Sequence, residues 1–149
     1  MKILSVVIVF LVSISIVHAQ KNLTDKQLSV KQAISKVFDA LSNRDSISLK
    51  KYCTSDVSFF EYGQIWTLDT MILKAIKRNT AKDFKRVNTL EFINTSVDVN
   101  SAWAAYNLHS EFVREGKQST AHWLETVVLV REKKKWKLKL LHSTLIKRT

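Results

Sequence analysis

The sequence predicts an α+β fold, in which helices come first and a run of long strands follows. Apolar residues recur at helical spacing near the N-terminus, between Val30 and Leu41. From Arg86 to Ile146 the pattern is that of consecutive strands separated by turns of only a few residues. The chain contains no proline and only 2 glycines, which argues against linkers or disordered tails. Helices followed by consecutive strands are the α+β arrangement.

Residues 1–19 have the pattern of a secretory signal peptide. Lys2 provides a positive start, the following residues are apolar apart from serines, and Val17-His18-Ala19 places small side chains around a cleavage site. A membrane anchor is the rival interpretation, but the apolar run is short of the roughly 20 residues that a spanning helix needs. We therefore expect cleavage before Gln20 and export to the periplasm or the extracellular space. A single domain of residues 20–149, with no membrane span, would remain.

The chain is strongly basic, with a formal net charge of +11. A basic surface can attract nucleic acids, anionic polymers or membrane headgroups. The cations are scattered, however, and the one dense run, Arg131–Lys139, alternates with Trp136 and Leu138 as on the solvent face of a strand. No nucleic-acid-binding motif accompanies this run, so we expect no nucleic-acid partner. Cys53 is the only cysteine, so no internal disulfide can form.

The first half of the domain is predicted to contain three helices and a short hairpin. The first helix is predicted to begin at a capping box over 24–27 and to carry its apolar stripe over 30–41. A helix over 46–52, a strand over 57–62 with a short return strand at 65–66, and a third helix that begins at 67 or 69 follow. Asp45 or Ser46 can cap the second helix, and Thr67 or Asp69 can cap the third. Gly63 lies at the hairpin turn between the two strands.

The second half is predicted to contain four long strands. They cover residues 86–99, 102–113, 119–131 and 135–146. The alternation slips in the first of them, because Leu90 and Phe92 share one phase whereas Val97 has the other, which predicts a bulge near Asn94. The strand over 119–131 is apolar on both faces. One face would pack against the helices, and the other would need to pack against a second subunit. This pattern predicts a homodimer.

The order of elements resembles that of the nuclear transport factor 2-like superfamily. The residues that carry the resemblance are the helical opening from Ala33 to Asp45, the strand from Asp56 to Gly63, Ala102-Trp103 with Tyr106, and the ending from Trp136 to Ser143. The resemblance implies a cone-shaped α+β fold, whose curved antiparallel sheet wraps around N-terminal helices. It is nearest to small exported bacterial members of undefined function, and the superfamily includes ketosteroid isomerases, SnoaL-like cyclases, ligand binders and interaction domains. The fold alone therefore does not decide the activity.

Three residues are candidates for acid–base catalysis in such a cone. Glu61 shares a strand face with Val57 and Phe59, where a carboxylate is costly unless it is paired or faces a cavity, although a frayed strand end in solvent is the alternative. His142 has the phase of Leu138 and Leu140, which predicts an inward imidazole with either a structural or a catalytic role. Glu125 lies on a strand whose two faces are equally mixed, so its direction is open.

Aromatic residues supply the candidates for ligand binding. We expect Tyr62, Trp66 and Tyr106, together with His142, to line a pocket for a flat apolar ligand. Packing within the core or against a second subunit is the alternative for each aromatic side chain. The compact Tyr and paired-Asp arrangement of ketosteroid isomerases is not found in this sequence. The histidines lack metal-ligand spacing and no phosphate-binding loop occurs, so no metal and no cofactor are expected.

These observations favour a non-enzymatic function, namely an exported domain that binds a small ligand or a partner. The first alternative is a SnoaL-like isomerase or lyase that acts on an apolar carbonyl compound. The second is a surface-interaction protein that uses its cationic face. A carboxylate and a histidine that converge on an apolar pocket would favour the enzyme, and a pocket filled by aromatic side chains would favour the interaction protein.

Overall fold

Residues 25–149 are the part of the chain that the structure, a computed structural model, describes. The predicted signal peptide and its cleavage site before Gln20 lie outside these residues. The helices are α1 (25–42), α2 (Ser46–Tyr52) and α3 (Leu68–Met71), which continues as a π-helix, π1 (Ile72–Lys77). The strands are β1 (Cys53–Glu61), β2 (Gln64–Trp66), β3 (Lys85–Val97), β4 (Ser101–Arg114), β5 (Lys117–Glu132) and β6 (Lys135–Arg148). The predicted α+β order is confirmed.

Local sequence explains where the short helices begin. The Asp45 carboxylate accepts hydrogen bonds from the backbone N–H groups of Ile47 and Ser48, at 3.0 and 2.9 Å, and so caps α2. The hydroxyl of Thr67 caps α3 in the same way. In π1 the backbone N–H of Arg78 donates to the carbonyl of Leu73 at 3.0 Å, which is the wider turn of a π-helix.

The six strands form one curved sheet in the order β2-β1-β6-β5-β4-β3. Neighbouring strands are antiparallel except β1 and β6, which run parallel. The sheet is therefore mixed, whereas the sequence predicted a wholly antiparallel one. The reason is that β6, the last strand, pairs with β1, the first, although all the other strands lie between them in the sequence. Local sequence patterns do not reveal a contact between such distant segments.

Two bulges decide which side chains face the helices. The first interrupts the pairing of β3 with β4 between Phe92 and Asn94, so the predicted slip near Asn94 is confirmed. The second lies in β6, where Leu138 pairs with Leu129 and Leu140 pairs with the preceding residue of β5, Val128. One residue of β6 is thus left out of the alternation, and the side chains from Leu140 to Leu145 change face, until a further register shift before Lys147.

The predicted inward orientation of His142 is therefore wrong. Leu138 and Leu141 are buried on the concave face, whereas His142 is exposed on the convex face beside Phe60, with ring centroids 6.1 Å apart. Uninterrupted alternation from Leu138 would have placed His142 inside, and the bulge reverses that outcome.

The core lies between the concave face of the sheet and the helices. The buried stripe of α1 (Val30, Ile34, Val37 and Leu41) belongs to the same cluster as the concave residues of β4, β5 and β6. Among residues 25–149 there is no helix with the length and apolar character needed to cross a membrane.

Candidate functional site

A cavity of about 260 Å³ opens at one end of the concave face. Its apolar wall comes from several elements and includes Phe38, Phe59, Phe84, Phe112 and Trp123. The strands add two carboxyl groups, those of Glu61 and Glu125, and three guanidinium groups, those of Arg86, Arg114 and Arg148. The segment after π1 adds Asn79. Polar groups on an otherwise apolar wall are typical of small-molecule sites.

Glu61 is the last residue of β1 and shares the concave face with Phe59. Burial and, to a smaller extent, the negative charge of Glu125 raise the pKa of its carboxyl group to about 7, although the positive charge of Arg86 opposes both effects. A carboxyl group with this pKa exists in both protonation states near neutral pH. It can therefore accept or donate a proton there.

Glu125 lies deeper, at 3% exposure, in the middle of β5. One carboxyl oxygen accepts a hydrogen bond from the Ser143 hydroxyl at 3.0 Å, while Oε2 has no hydrogen-bond partner among residues 25–149. Burial raises the pKa of Glu125 to about 7, against the opposing effects of the nearby Tyr106 and Ser143 hydroxyl groups and of Arg86. Tyr106, directly across on β4, is fully buried, and its hydroxyl likewise has no partner in the described chain.

Arg86, on β3, is surrounded by aromatic rings from other elements. Its guanidinium carbon lies 5.8 Å from the Phe38 ring centroid, 5.2 Å from that of Phe112 and 5.8 Å from that of Trp123. Such positions are favourable because the ring faces attract a cation. Burial lowers the pKa of Arg86 to about 10, although the negative charges of Glu125 and Glu61 oppose this shift. Arg86 thus remains a cation at neutral pH.

Hydrogen bonds hold the Arg86 side chain in place. Its Nε donates to Oδ1 of Asn88 at 2.7 Å and its Nη2 donates to the Ser110 hydroxyl at 3.2 Å. Asn88 in turn donates to the hydroxyl of Ser42, at the end of α1, at 2.7 Å. These bonds leave Nη1 free of protein partners in the described part of the chain, and no salt bridge there joins Arg86 to Glu61 or Glu125. Arg86 is therefore a fixed donor that can reach a bound molecule.

The β1–β2 turn forms part of the cavity mouth. Tyr62 has a left-handed backbone conformation, with φ of 51°, and Gly63 follows with φ of 71°. The Tyr62 hydroxyl accepts a hydrogen bond from Arg148 at 2.9 Å, and the ammonium of Lys74 lies 4.0 Å from the Trp66 ring centroid. Both aromatic side chains line the cavity.

The structure brings together most of the residues that the sequence singled out. Glu61, Glu125, Tyr62 and Trp66 line the cavity, and Tyr106 lies beside Glu125. Neither His142 nor Tyr106 lines it, contrary to the prediction, because His142 lies on the convex face and Tyr106 is fully buried in the core. Whether the lining residues bind a ligand or catalyse a reaction stays a prediction.

Sequence reasoning missed Arg86 and Asn79. Arg86 was within reach, because Leu90 and Phe92 set the inward phase of β3 and Arg86 shares that phase. Asn79 follows π1 in a segment without periodicity, so no pattern in the sequence marks it.

Comparison with known proteins agrees with this architecture. Residues 30–146 match the family model described as a SnoaL-like domain. This match covers most of the chain, so the protein belongs to the SnoaL-like domain family. No curated protein matches the sequence.

Solved structures share the fold at low sequence identity. The hub domain of the S. rosetta calmodulin-dependent kinase CaMKII superposes with a TM-score of 0.68 at 21% identity, covering 80% of this chain and 95% of that chain. An NTF2-like protein from Cytophaga hutchinsonii gives 0.66 at 16% identity, with 78% and 95% covered. A hexachlorocyclohexane dehydrochlorinase, LinA type 2, gives 0.67 at 10% identity, with 85% and 88% covered. These similarities confirm the nuclear transport factor 2-like fold.

Proposed function

We propose that this SnoaL-like domain binds a small, flat, largely apolar ligand in the cone cavity. The observation that carries the proposal is an open cavity of about 260 Å³ whose aromatic wall is interrupted by Glu61, Arg86 and Glu125. An apolar cavity of about 150 Å³ accommodates a benzene ring, so this volume suits a molecule of about two fused rings. The ionisable groups would orient a carbonyl or hydroxyl group of the ligand.

Tryptophan fluorescence tests this proposal directly, because Trp66 and Trp123 both line the cavity. We expect 2-naphthol to change the emission in a saturable way. Ala75→Phe places a ring in the cavity and should weaken binding at least tenfold. Ala105→Phe adds the same volume on the convex face and should leave binding unchanged. Equal affinities in the two variants would contradict the proposal.

Acid–base catalysis is the second candidate function, favoured by the pKa of Glu61 near 7 and the fixed cation at Arg86. The Glu61 carboxylate would take a proton from the carbon next to a ligand carbonyl. The C–H electron pair would then form the enolate, whose oxygen would accept a hydrogen bond from Arg86. In a β,γ-unsaturated ligand this enolate is a dienolate, and return of the proton from the Glu61 carboxyl group to the γ-carbon moves the C=C bond and completes an isomerisation.

Deuterium exchange separates catalysis from binding alone. An enzyme of this kind should speed the incorporation of deuterium from D₂O next to the carbonyl of 2-tetralone, as followed by NMR. Glu61→Gln should abolish the acceleration while 2-naphthol still binds. An acceleration that survives in Glu61→Gln would exclude Glu61 as the base.

We also propose a homodimer formed through the convex face of the sheet. Trp103 and Leu124 lie on this face at 41% and 42% exposure, and Val128 and Leu140 are half-buried between them and β1. Burying these side chains would favour association. Sedimentation should show a dimer at micromolar concentration for the wild type and a monomer for Leu124→Glu, whereas a wild-type monomer would contradict the proposal.

Export remains a separate proposal that rests on the N-terminal sequence. Mass spectrometry of the native protein should find a chain that begins at Gln20. An intact N-terminal methionine would contradict it.

A further inference from the structure

Asn79 is a buried polar side chain without a hydrogen-bond partner in the described part of the chain. It is 7% exposed, it lines the cavity, and neither Nδ2 nor Oδ1 makes a hydrogen bond within residues 25–149. A buried amide without partners is costly, because it loses its hydrogen bonds to water and gains none in exchange. The amide therefore offers one donor group and one acceptor to whatever occupies the cavity.

The backbone around Asn79 is held from two sides. Its N–H donates to the carbonyl of Ile76, in π1, at 3.2 Å. Its carbonyl accepts from the guanidinium of Arg44 at 2.7 Å, and the same nitrogen of Arg44 donates to the carbonyl of Ala81 at 3.0 Å. Arg44 also lies over the Phe84 ring, 5.3 Å from its centroid. Asn79 is thus presented to the cavity by a fixed segment.

The geometry of an amide determines which ligand group it matches. The oxygen and the NH₂ group of Asn lie in one plane and point the same way, so together they pair with an adjacent N–H and C=O. Lactams and related cyclic amides carry both groups on one edge of a flat ring. A ring with a carbonyl alone would leave the Asn oxygen unpaired, and an unsubstituted ring would leave both groups unpaired.

We propose that Asn79 determines ligand specificity by pairing with a cyclic amide edge of a flat bicyclic ligand. This inference rests on the proposed ligand-binding function and names the class of ligand. Glu61 and Arg86, on the sheet, remain available for other groups of the same molecule.

Three bicyclic molecules of nearly equal size test the inference by calorimetry. 2-Quinolone carries an adjacent N–H and C=O, coumarin carries the C=O alone, and naphthalene carries neither. Wild-type protein should bind 2-quinolone on the order of tenfold or more tightly than naphthalene, with coumarin between them. Asn79→Leu should lose this preference while still binding naphthalene. Asn94→Leu, a matched change on the convex face, should retain it.

The outcomes separate the inference from the function on which it rests. Binding of all three molecules without preference, or a preference that persists in Asn79→Leu, overturns the role of Asn79 and leaves ligand binding intact. Failure of the wild type to bind any of the three overturns both. If Asn79→Leu does not fold, the wild type still decides, because a hydrogen bond to 2-quinolone should move the NMR signals of the Asn79 side-chain NH₂ downfield relative to their position with naphthalene bound. An unchanged signal in saturating 2-quinolone overturns the inference.

Discussion

The two halves of the concave face are built from the same strands and yet differ in chemistry. In the closed half, Leu129 pairs with Ala102 on β4 and with Leu138 on β6, and all three are buried in the core. In the open half, Glu125 pairs with Tyr106 and Ser143 at the same positions across the sheet. Only a few residues along β5 separate a fully apolar layer from a polar one.

The difference shows how the fold accommodates ionisable groups without losing its core. The closed half supplies the close packing that stabilises the domain, as in any protein interior. The open half keeps Glu125 and Arg86 beside a cavity, where burial shifts their pKa values but a bound molecule or solvent can still reach the wall. A closely packed half and a half with ionisable side chains thus share one sheet.

The largest expected effect is on stability, from a truncation in the closed half. Leu129→Ala should lower the free energy of unfolding by about 2–5 kcal/mol, because the fully buried side chain leaves a void among packed neighbours. Leu108→Ala should cost about 1 kcal/mol less, because the space that it leaves joins an open cavity that water can enter and is not a closed void. Urea unfolding measures both values. Equal costs would mean that the two halves are packed alike.

The next effect is the pH dependence that Glu125 confers on stability. Its folded-state pKa of about 7 lies above the ordinary value of 4.5, so the folded protein binds more protons than the unfolded protein between these values. The stabilisation that protonated Glu125 gives the folded state is therefore fully present below about pH 4.5 and is lost as the pH rises through 7. Removing the charge with Glu125→Gln should leave stability at pH 4.5 nearly unchanged and raise it at pH 8 by on the order of 3 kcal/mol.

Chemical unfolding at several pH values tests this prediction. Glu111→Gln, on the convex face, provides the control. Its free energy of unfolding should change with pH in the same way as that of the wild type. If Glu125→Gln also runs parallel to the wild type between pH 4.5 and 8, burial does not perturb Glu125 and the open half is wetter than its geometry indicates.

The smallest effect is expected at His142. Since the imidazole is exposed on the convex face, His142→Gln should change the free energy of unfolding by no more than about 0.5 kcal/mol. Binding of 2-naphthol should also be unchanged. A loss of binding would show that the convex face communicates with the cavity, and the contrast between the two faces would have to be revised.

The sequence by itself determined the order of the elements, because helical and strand periodicities are local properties of the chain. It also predicted the bulge at Asn94, where the inward phase of β3 visibly slips, and it singled out Glu61 as a carboxylate on an apolar face. Each of these inferences depends only on neighbours within a few residues.

Only the tertiary structure decided which polar groups share the cavity. The bulge in β6 reverses the phase of His142 without any mark in its own sequence, because Leu140 and Leu141 suit either face equally well. The direction of Glu125 was open since both faces of β5 are apolar, and it was settled by pairing with Tyr106 and Ser143. Asn79 enters the site through a π-turn and through its bonds to Arg44, a residue far away in the sequence. Strand pairing and contacts between distant segments depend on the free energy of the whole folded chain. Patterns within a few residues therefore do not predict them.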